Sequence, residues 1–497
     1  MLKNRQIFLI VCLLFPICCS GNFVLFGQET GSNRIAPAPR TRLTPKQQEA
    51  ETSTDPAAET APEAVPPRVV PRSPDGKAYQ MTSARKEGVV DKIELTLEAE
   101  GDVTQFLDGQ DSQSHKMLMR AGFRYEERTE KFGTDKPEHL QSVRYYDVAR
   151  AETQIGDQTG KPVLDASRKQ IICDIRDNKV SLFSLIGPLK DDQLLLIEDL
   201  PANTLLLDQL LPSRAVKIGD SWELSDGVVT PLLSLEAIES QTLEAVLASV
   251  EDDVALVEIN GEVEGAYLGA GSVMEVKMMY QFDLISKRVI WLGLVIAESR
   301  SIGNVGPAVD LVAKLTLKVH PDIEPGQLKK DRIIVVPDDI EKYLTLMYDS
   351  LGKGTWRFLH SRNWYIIFDE PGNTKMRLMV NGELISQCDI VQMGRAANDT
   401  VMKLLDFQSN LKMELKDSFG KFLSATEGKT AKGYRELRVA ISNESEDSPL
   451  VWVYYLLIKA DGTQTVMAFV VRQDMLEVFN DADHAIVDSF EMYSTRR

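Results

Sequence analysis

Apolar and polar side chains alternate along much of this chain. Val276, Met278, Tyr280, Phe282 and Leu284 are interleaved with Lys277, Met279, Gln281 and Asp283. Val257, Ile259, Gly261 and Val263 are interleaved in the same way with Glu258, Asn260, Glu262 and Glu264. Successive side chains on a strand point to opposite faces, so a period of two predicts strands with one buried and one polar face. Runs near 92–99, 120–131, 141–154, 170–176, 179–185, 288–299 and 310–319 predict further strands. Asp252–Asp253 predicts a turn between two of them, because Asp tolerates the left-handed backbone of tight turns. Two stretches, 191–211 and 227–238, carry the looser spacing of helices, and Pro201 divides the first.

The same reading continues beyond residue 338. Runs over 355–360, 363–369, 375–381 and 384–393 predict strands, with Asn381–Gly382 as a hairpin turn. Val401, Leu404, Leu405, Leu411 and Leu415 form a helical stripe, with Asp399 as its N-cap and Gly420 at its end. Strands near 434–442, 450–459 and 464–472 follow, then a helix over 481–490. The pattern predicts an α+β fold class. Residues 79–320 are expected to form a mainly antiparallel β domain, a curled sheet or half-barrel. Residues 338–497 are expected to form an α+β sandwich, an antiparallel sheet covered by helices. Pro321, Pro325, Gly326 and Pro337 mark 321–337 as the linker between them.

The N-terminus departs from this pattern. Lys3 and Arg5 precede an apolar run from Ile7 to Cys19, so residues 1–28 read as an export signal peptide. The run is short of the about 20 residues a membrane span needs. Cleavage after Ser20 or close to Gly27–Gln28 is the favoured expectation. Lipid attachment at Cys19 and an uncleaved N-terminal anchor are the alternatives, and the anchor would be the chain's only membrane contact. Residues 29–78 hold nine prolines and no aromatic side chain. Such a segment buries too little apolar surface to offset its chain entropy, which predicts a disordered linker.

Composition narrows the chemistry. Cys12, Cys18 and Cys19 lie in the signal, and only Cys173 and Cys388 remain, in different expected domains. That excludes a disulfide framework or a thiolate metal site. The five histidines show no metal-ligand spacing. A net charge of −18 gives nucleic acid no electrostatic attraction.

Residues 338–497 resemble the superfamily of the photosystem II protein PsbP and the Mog-type fold. The resemblance is carried by the Trp364–Phe368 strand, the 399–415 helix, the hairpin from Val451 to Val471 and the closing segment with Ile486, Val487 and Phe490. It implies a binding or assembly factor, of a kind often exported or lipid-anchored in bacteria. In the middle domain, Pro212, Val216, Gly219, Asp220 and Trp222 match the P-x-x-x-V-x-x-G-D-x-W signature of a poorly characterised exported bacterial family. Physically, Gly219–Asp220 reads as a tight turn that delivers Trp222 into a sheet.

Motifs of catalysis are missing. The sequence has no G-x-S-x-G elbow, and Leu423 stands where a P-loop ending in Gly428–Lys429–Thr430 needs its first glycine. Gly352–Lys353–Gly354 reads as a loop. Asp191–Asp192, Asp252–Asp253 and Asp338–Asp339 fall at turns or helix starts, where Asp caps backbone amides. His360 and His484 read as solvated or capping groups. The remaining candidates are apolar. Trp222, Met278, Tyr280, Phe282 and Trp291, with Met274 and Met279, are candidate lining for an apolar ligand inside the curled sheet. These readings predict a non-enzymatic, exported binding or assembly protein of the bacterial envelope. It would need no cofactor and would take a protein partner or an apolar small molecule. An envelope hydrolase of another type and a purely structural envelope component are the alternatives.

Overall fold

Period-two runs become strands in the computed structural model, which describes residues 76–105, 112–132, 139–329, 335–350, 355–395, 402–443 and 449–493. The export signal, Cys19, nearly all of the proline-rich stretch, Asp399 and Gly352–Lys353–Gly354 lie outside the described residues. The first group of strands is β1 (Val90–Gln105), β2 (Gln113–Lys131), β3 (His139–Ile155), β4 (Gln158–Gly160), β5 (Gln170–Arg176), β6 (Lys179–Phe183) and β7 (Leu189–Lys190). Helix α1 (Asp191–Ile197), a 3₁₀ segment (Thr204–Leu210), β8 (Ser221–Glu223) and α2 (Asp226–Leu232) follow. Then come β9 (Ala237–Gln241), β10 (Glu244–Glu251), β11 (Val254–Tyr267), β12 (Ala270–Asp283), β13 (Arg288–Arg300) and β14 (Ala308–His320).

All of these except β7 belong to one antiparallel sheet, with the path β6-β5-β3-β2-β1-β14-β13-β12-β11-β10-β8. β4 and β9 pair off this path with β3 and β11. Two meanders therefore meet where β1 pairs β14, from Lys92 opposite His320 to Thr104 opposite Ala308. Gly101 permits the close approach there, since a Cβ would stand 2.2 Å from the Asp310 carbonyl oxygen. Asp252 and Asp253 both adopt positive φ, the type I′ geometry that suits strand twist. One face of the sheet is apolar. Leu95, Leu97, Met119, Phe123, Tyr280, Leu292 and Leu315 are all buried there.

The later strands are β15 (Leu346–Asp349), β16 (Trp356–His360), β17 (Trp364–Glu370), β18 (Asn373–Val380), β19 (Glu383–Met393), β20 (Lys421–Lys429), β21 (Arg435–Ser442), β22 (Leu450–Ile458), β23 (Gln464–Arg472) and β24 (Glu491–Met492). The helices are α3 (Leu404–Leu415), α4 (Leu476–Phe479) and α5 (Ala482–Ser489). Seven of the strands form an antiparallel sheet in the order β17-β18-β19-β23-β22-β21-β20. Phe407, Leu411 and Leu415 of α3 pack on one face against Leu437, Val439 and Tyr454. Ile486 and Val487 of α5 pack on the other with Trp364, Met376 and Phe469. A small sheet, β24-β16-β15-β7, takes its last strand from the first half of the chain, and β7 runs parallel to β15. All described residues fall in one compact unit.

The expected α+β class is corrected by this structure, which is mainly antiparallel β. The helical stripes yield far less helix than their length suggests. The 191–211 stretch splits at Leu200–Pro201 into seven-residue α1 and the 3₁₀ segment, and α2 is seven residues long with Pro231 inside it. Only α3 reaches twelve residues. At about 1.5 Å per residue, such pieces do not make balanced helical layers on a seven-stranded sheet. Strands also form where the sequence shows no clear alternation, at β8, β9, β15 and β20.

Candidate functional site

The apolar candidates come to rest on the inner face of the large sheet, except Met279 and Trp291. Met278, Tyr280 and Phe282 alternate inward on β12 and are 1% exposed or less. Their neighbours across the strands are Ile259, Val257 and Ala255 on β11. What covers this face is the chain's own segment between β7 and β8. Leu194, Leu196 and Ile197 of α1 and Leu205, Leu206, Leu207 and Leu210 of the 3₁₀ segment are buried in the same core. Tyr280 donates its hydroxyl to the Leu210 carbonyl at 3.2 Å. Trp222, half-buried on β8, donates Nε1 to the same carbonyl at 3.1 Å.

Trp222 gets there through the turn expected of its motif. Asp220 Oδ2 accepts from the Lys217 amide at 2.9 Å, and Gly219 adopts a φ of 93°. Trp291 departs from the group. It pairs with Gln281, and the bulge at Gln281/Phe282 leaves its ring on the outer face over Gly293. Residue parity, not proximity in sequence, decides which face a side chain occupies.

Beside the leucines lies a charge cluster that the sequence reading missed. Glu127 of β2 is fully buried and accepts from Arg144 Nε at 2.7 Å and from the Ser142 hydroxyl at 2.8 Å. Arg144 also donates to Asn203 Oδ1 at 2.8 Å and to the Thr204 hydroxyl at 3.1 Å. Arg85 donates to Asp208 at 2.8 Å and to the Thr204 carbonyl at 3.0 Å, and stands 4.0 Å from Glu127. Burial pushes the Glu127 carboxyl up, but the Arg144 and Arg85 guanidiniums outweigh it and hold it below the usual range. The Tyr125 and Tyr146 rings stack tilted at 4.8 Å, with Arg144 over Tyr125. The cluster ties the 3₁₀ segment to β2 and β3. Its sequence signal was Glu127 at an inward position behind Phe123 and Tyr125.

A second set of charges joins α1 to the 344–362 segment. His360 is fully buried, with Nδ1 2.9 Å from the Ser361 carbonyl and Nε2 3.2 Å from the Asp191 carboxylate. Two acceptors leave both ring nitrogens as donors. Burial works against the charged ring, but Asp191 holds its pKa above the usual value. Burial and the neighbouring Asp191 push Asp192 up to about 6. Arg362 donates to Glu198 at 2.6 Å, to the Leu344 carbonyl at 3.0 Å and to the Leu182 carbonyl. Burial pushes Glu198 up to about 7, against the pull of Arg362 and with Asp199 adding to the rise. Asp199 itself, half-buried and accepting from the Tyr267 hydroxyl at 3.0 Å, is also raised by desolvation.

On the outer face, a groove of about 510 Å³ is lined by Glu98, Glu100, Arg120, Glu152, Lys161 and others. Four of its charges pair with one another, Lys161 with Glu152 at 2.8 Å and Arg120 with Glu98 at 3.6 Å. Among the described residues, no group of three or more His, Cys, Asp or Glu side chains could hold a metal ion. Cys173 and Cys388 are both buried free thiols. No helix among the described residues is long and apolar enough to cross a membrane.

No protein-family model matches the sequence, and no curated protein matches it. Solved structures align at low similarity. DynF from the dynemicin biosynthesis pathway of Micromonospora chersina aligns at 6% identity over 53% of this chain and 94% of its own, with a TM-score of 0.14. The translocator domain of the autotransporter NalP from Neisseria meningitidis aligns at 8% identity over 78% and 88%, with a TM-score of 0.12. An outer membrane channel from Pseudomonas putida F1 aligns at 7% identity over 78% and 97%, with a TM-score of 0.13. Values this low carry no argument about this chain's fold or function, and they do not indicate the PsbP-like or Mog-type superfamily expected for residues 338–497.

Proposed function

We propose that this chain is an exported, non-catalytic binding or assembly protein of the bacterial envelope, and that it meets its partner through its surface. The observation that carries the surface reading is the filling of the large sheet's inner face. Leu205, Leu206, Leu207 and Leu210 occupy the apolar ground on which a ligand would lie, and Trp222 and Tyr280 are both committed to the Leu210 carbonyl. The ionisable groups beneath the surface support a structural role for them. Arg144 and Arg85 pair with Glu127 and Asp208, although Arg85 Nη1 and Glu127 Oε2, 4.0 Å apart, each lack a hydrogen bond, and His360 and Arg362 are spent on Asp191 and Glu198. A catalytic acid or base instead faces a substrate cleft with its charge unspent. Export rests on Lys3, Arg5 and the apolar run from Ile7 to Cys19.

Expression of the full chain in a bacterial host, followed by fractionation and mass measurement of the recovered protein, tests both parts. The expected product lies outside the cytoplasm, begins after Ser20 or close to Gly27–Gln28, and releases no lipid on organic extraction. Recovery of the intact chain from the cytoplasm would overturn export. Stoichiometric lipid in the extract would overturn the surface reading.

A further inference from the structure

The seven-stranded sheet ends in a strand that no other described element covers along its outer edge. β20 pairs only with β21 among the described residues, along the register from Lys421 opposite Ser442 to Lys429 opposite Arg435. Eight of its nine residues are exposed, and Ala425 alone is half-buried. Exposure on both faces is unusual for a strand of this length. Packing contributes little to holding it, and a row of backbone donors and acceptors faces outward. Phe422 and Leu423 stand 36% and 48% exposed, and Phe422 meets Phe419 edge-on at 4.9 Å.

Charge narrows the kind of partner. Lys416, Lys421 and Lys429 are exposed and have no acidic partner among the described residues. Between Lys403 and Arg438 the chain carries eight basic and five acidic side chains, although the whole chain is at −18. A second copy of the strand is a poor occupant. Antiparallel pairing centred on Ala425 would set Lys421 opposite Lys429 at both ends, and like charges facing across strands destabilise the pair.

We infer that β20 is a strand-addition site for an extended, acidic polypeptide segment of a partner protein. Main-chain hydrogen bonds to the open edge would supply affinity, and the flanking lysines would select the charge. The inference deepens the surface reading above and rests on it.

The test uses the purified protein and a blocked peptide of alternating Glu and Val, about ten residues long to match the strand. Two controls accompany it, the same peptide with Lys in place of Glu and the Glu peptide N-methylated at alternate amides. Hydrogen exchange at residues 421–429 should slow with the unmodified Glu peptide and with neither control. Its affinity should fall about tenfold or more in the K421E/K429E variant, and fall again at high salt. No slowing with about 1 mM peptide would overturn the inference. Equal binding of the N-methylated peptide would do so as well, because that is adhesion without strand pairing. Slow exchange at 421–429 in the protein alone, with a dimer in sedimentation, would assign the edge to a second copy instead. None of these outcomes touches export or lipid content, so the two proposals fail separately.

Discussion

Trp222 and Tyr280 lie on different strands and share one acceptor, the carbonyl oxygen of Leu210. That oxygen has two lone pairs, and the two donors fill both. The contact pins the end of the leucine-rich 3₁₀ segment to β8 and β12 together, closing the inner face of the large sheet.

Removing one donor at a time measures that closure. Tyr280→Phe and Trp222→Phe should each lower stability, by about 1 kcal/mol for the hydrogen bond alone. The double variant should depart from the sum, because the remaining bond can strengthen when its competitor leaves. Urea unfolding of the four proteins gives the coupling directly. Strict additivity would mean that the two donors act on the segment independently.

Glu127 answers for two guanidiniums. Glu127→Ala leaves Arg144 and Arg85 buried with a lost counter-charge, which costs about 3–5 kcal/mol by analogy with broken buried pairs. Its carboxyl pKa is lower in the folded chain than in the unfolded one. Its contribution is therefore present above the unfolded value and lost as pH falls through the folded one. Acid unfolding of the wild type should be steeper than that of Glu127→Gln, as followed by near-ultraviolet circular dichroism.

The joint between α1 and the 344–362 segment has the opposite sign. Asp192, Glu198 and His360 all bind protons more tightly in the folded chain. For the carboxyls, stability is full below the unfolded pKa and declines until the folded values of about 6 and 7 are passed. For His360 the loss begins above the unfolded imidazole value and completes as pH rises through its raised one. The facing groups are Asp191 and Lys190 for Asp192, Arg362, Asp199 and Lys179 for Glu198, and Asp191 for His360. Hydrogen exchange at residues 189–199 and 355–362, corrected for intrinsic rates, should accelerate between about pH 5 and about pH 8. Asp192→Asn should flatten that trend. A wild-type profile that is flat with pH would remove the linkage.

Gly269 sits at the β11–β12 turn with a φ of +73°, and a Cβ there would fall 2.2 Å from the Gly382 carbonyl oxygen. Gly382 is itself in the Asn381–Gly382 turn, at a φ of +75°. Gly269→Ala therefore meets backbone strain and a backbone clash together. It should lower thermal stability by about 1–3 kcal/mol, and Gly271→Ala, whose nearest neighbour is a flexible serine, should cost less. Calorimetry on the two variants separates them.

Much of this was legible in the chain. The alternation at 276–284 is β12, the Asp252–Asp253 and Asn381–Gly382 turns stand where the residues put them, and Gly219–Asp220 delivers Trp222 as its spacing implies. Local preference is enough for these, because a period of two or a positive φ is written in neighbouring residues. Spaced leucines overstate the helical content because they also suit a 3₁₀ segment that plugs a sheet, as Leu205 to Leu210 do. β20 is not legible as a strand, since a strand exposed on both faces has no alternation to show.

Tertiary structure alone decided the rest. Trp291 and Tyr280 are close in sequence and rich in the same chemistry, yet one bulge sends them to opposite faces. Arg85, Glu127, Arg144 and Asp208 are scattered along the chain and become one cluster only when β2, β3 and the 3₁₀ segment pack. The sequence by itself determined which stretches would pair and turn, because those choices depend on residues a few positions apart. Which apolar face would be filled from within, and which edge would be left open, depended on contacts between residues far apart in the chain, and no local pattern encodes them.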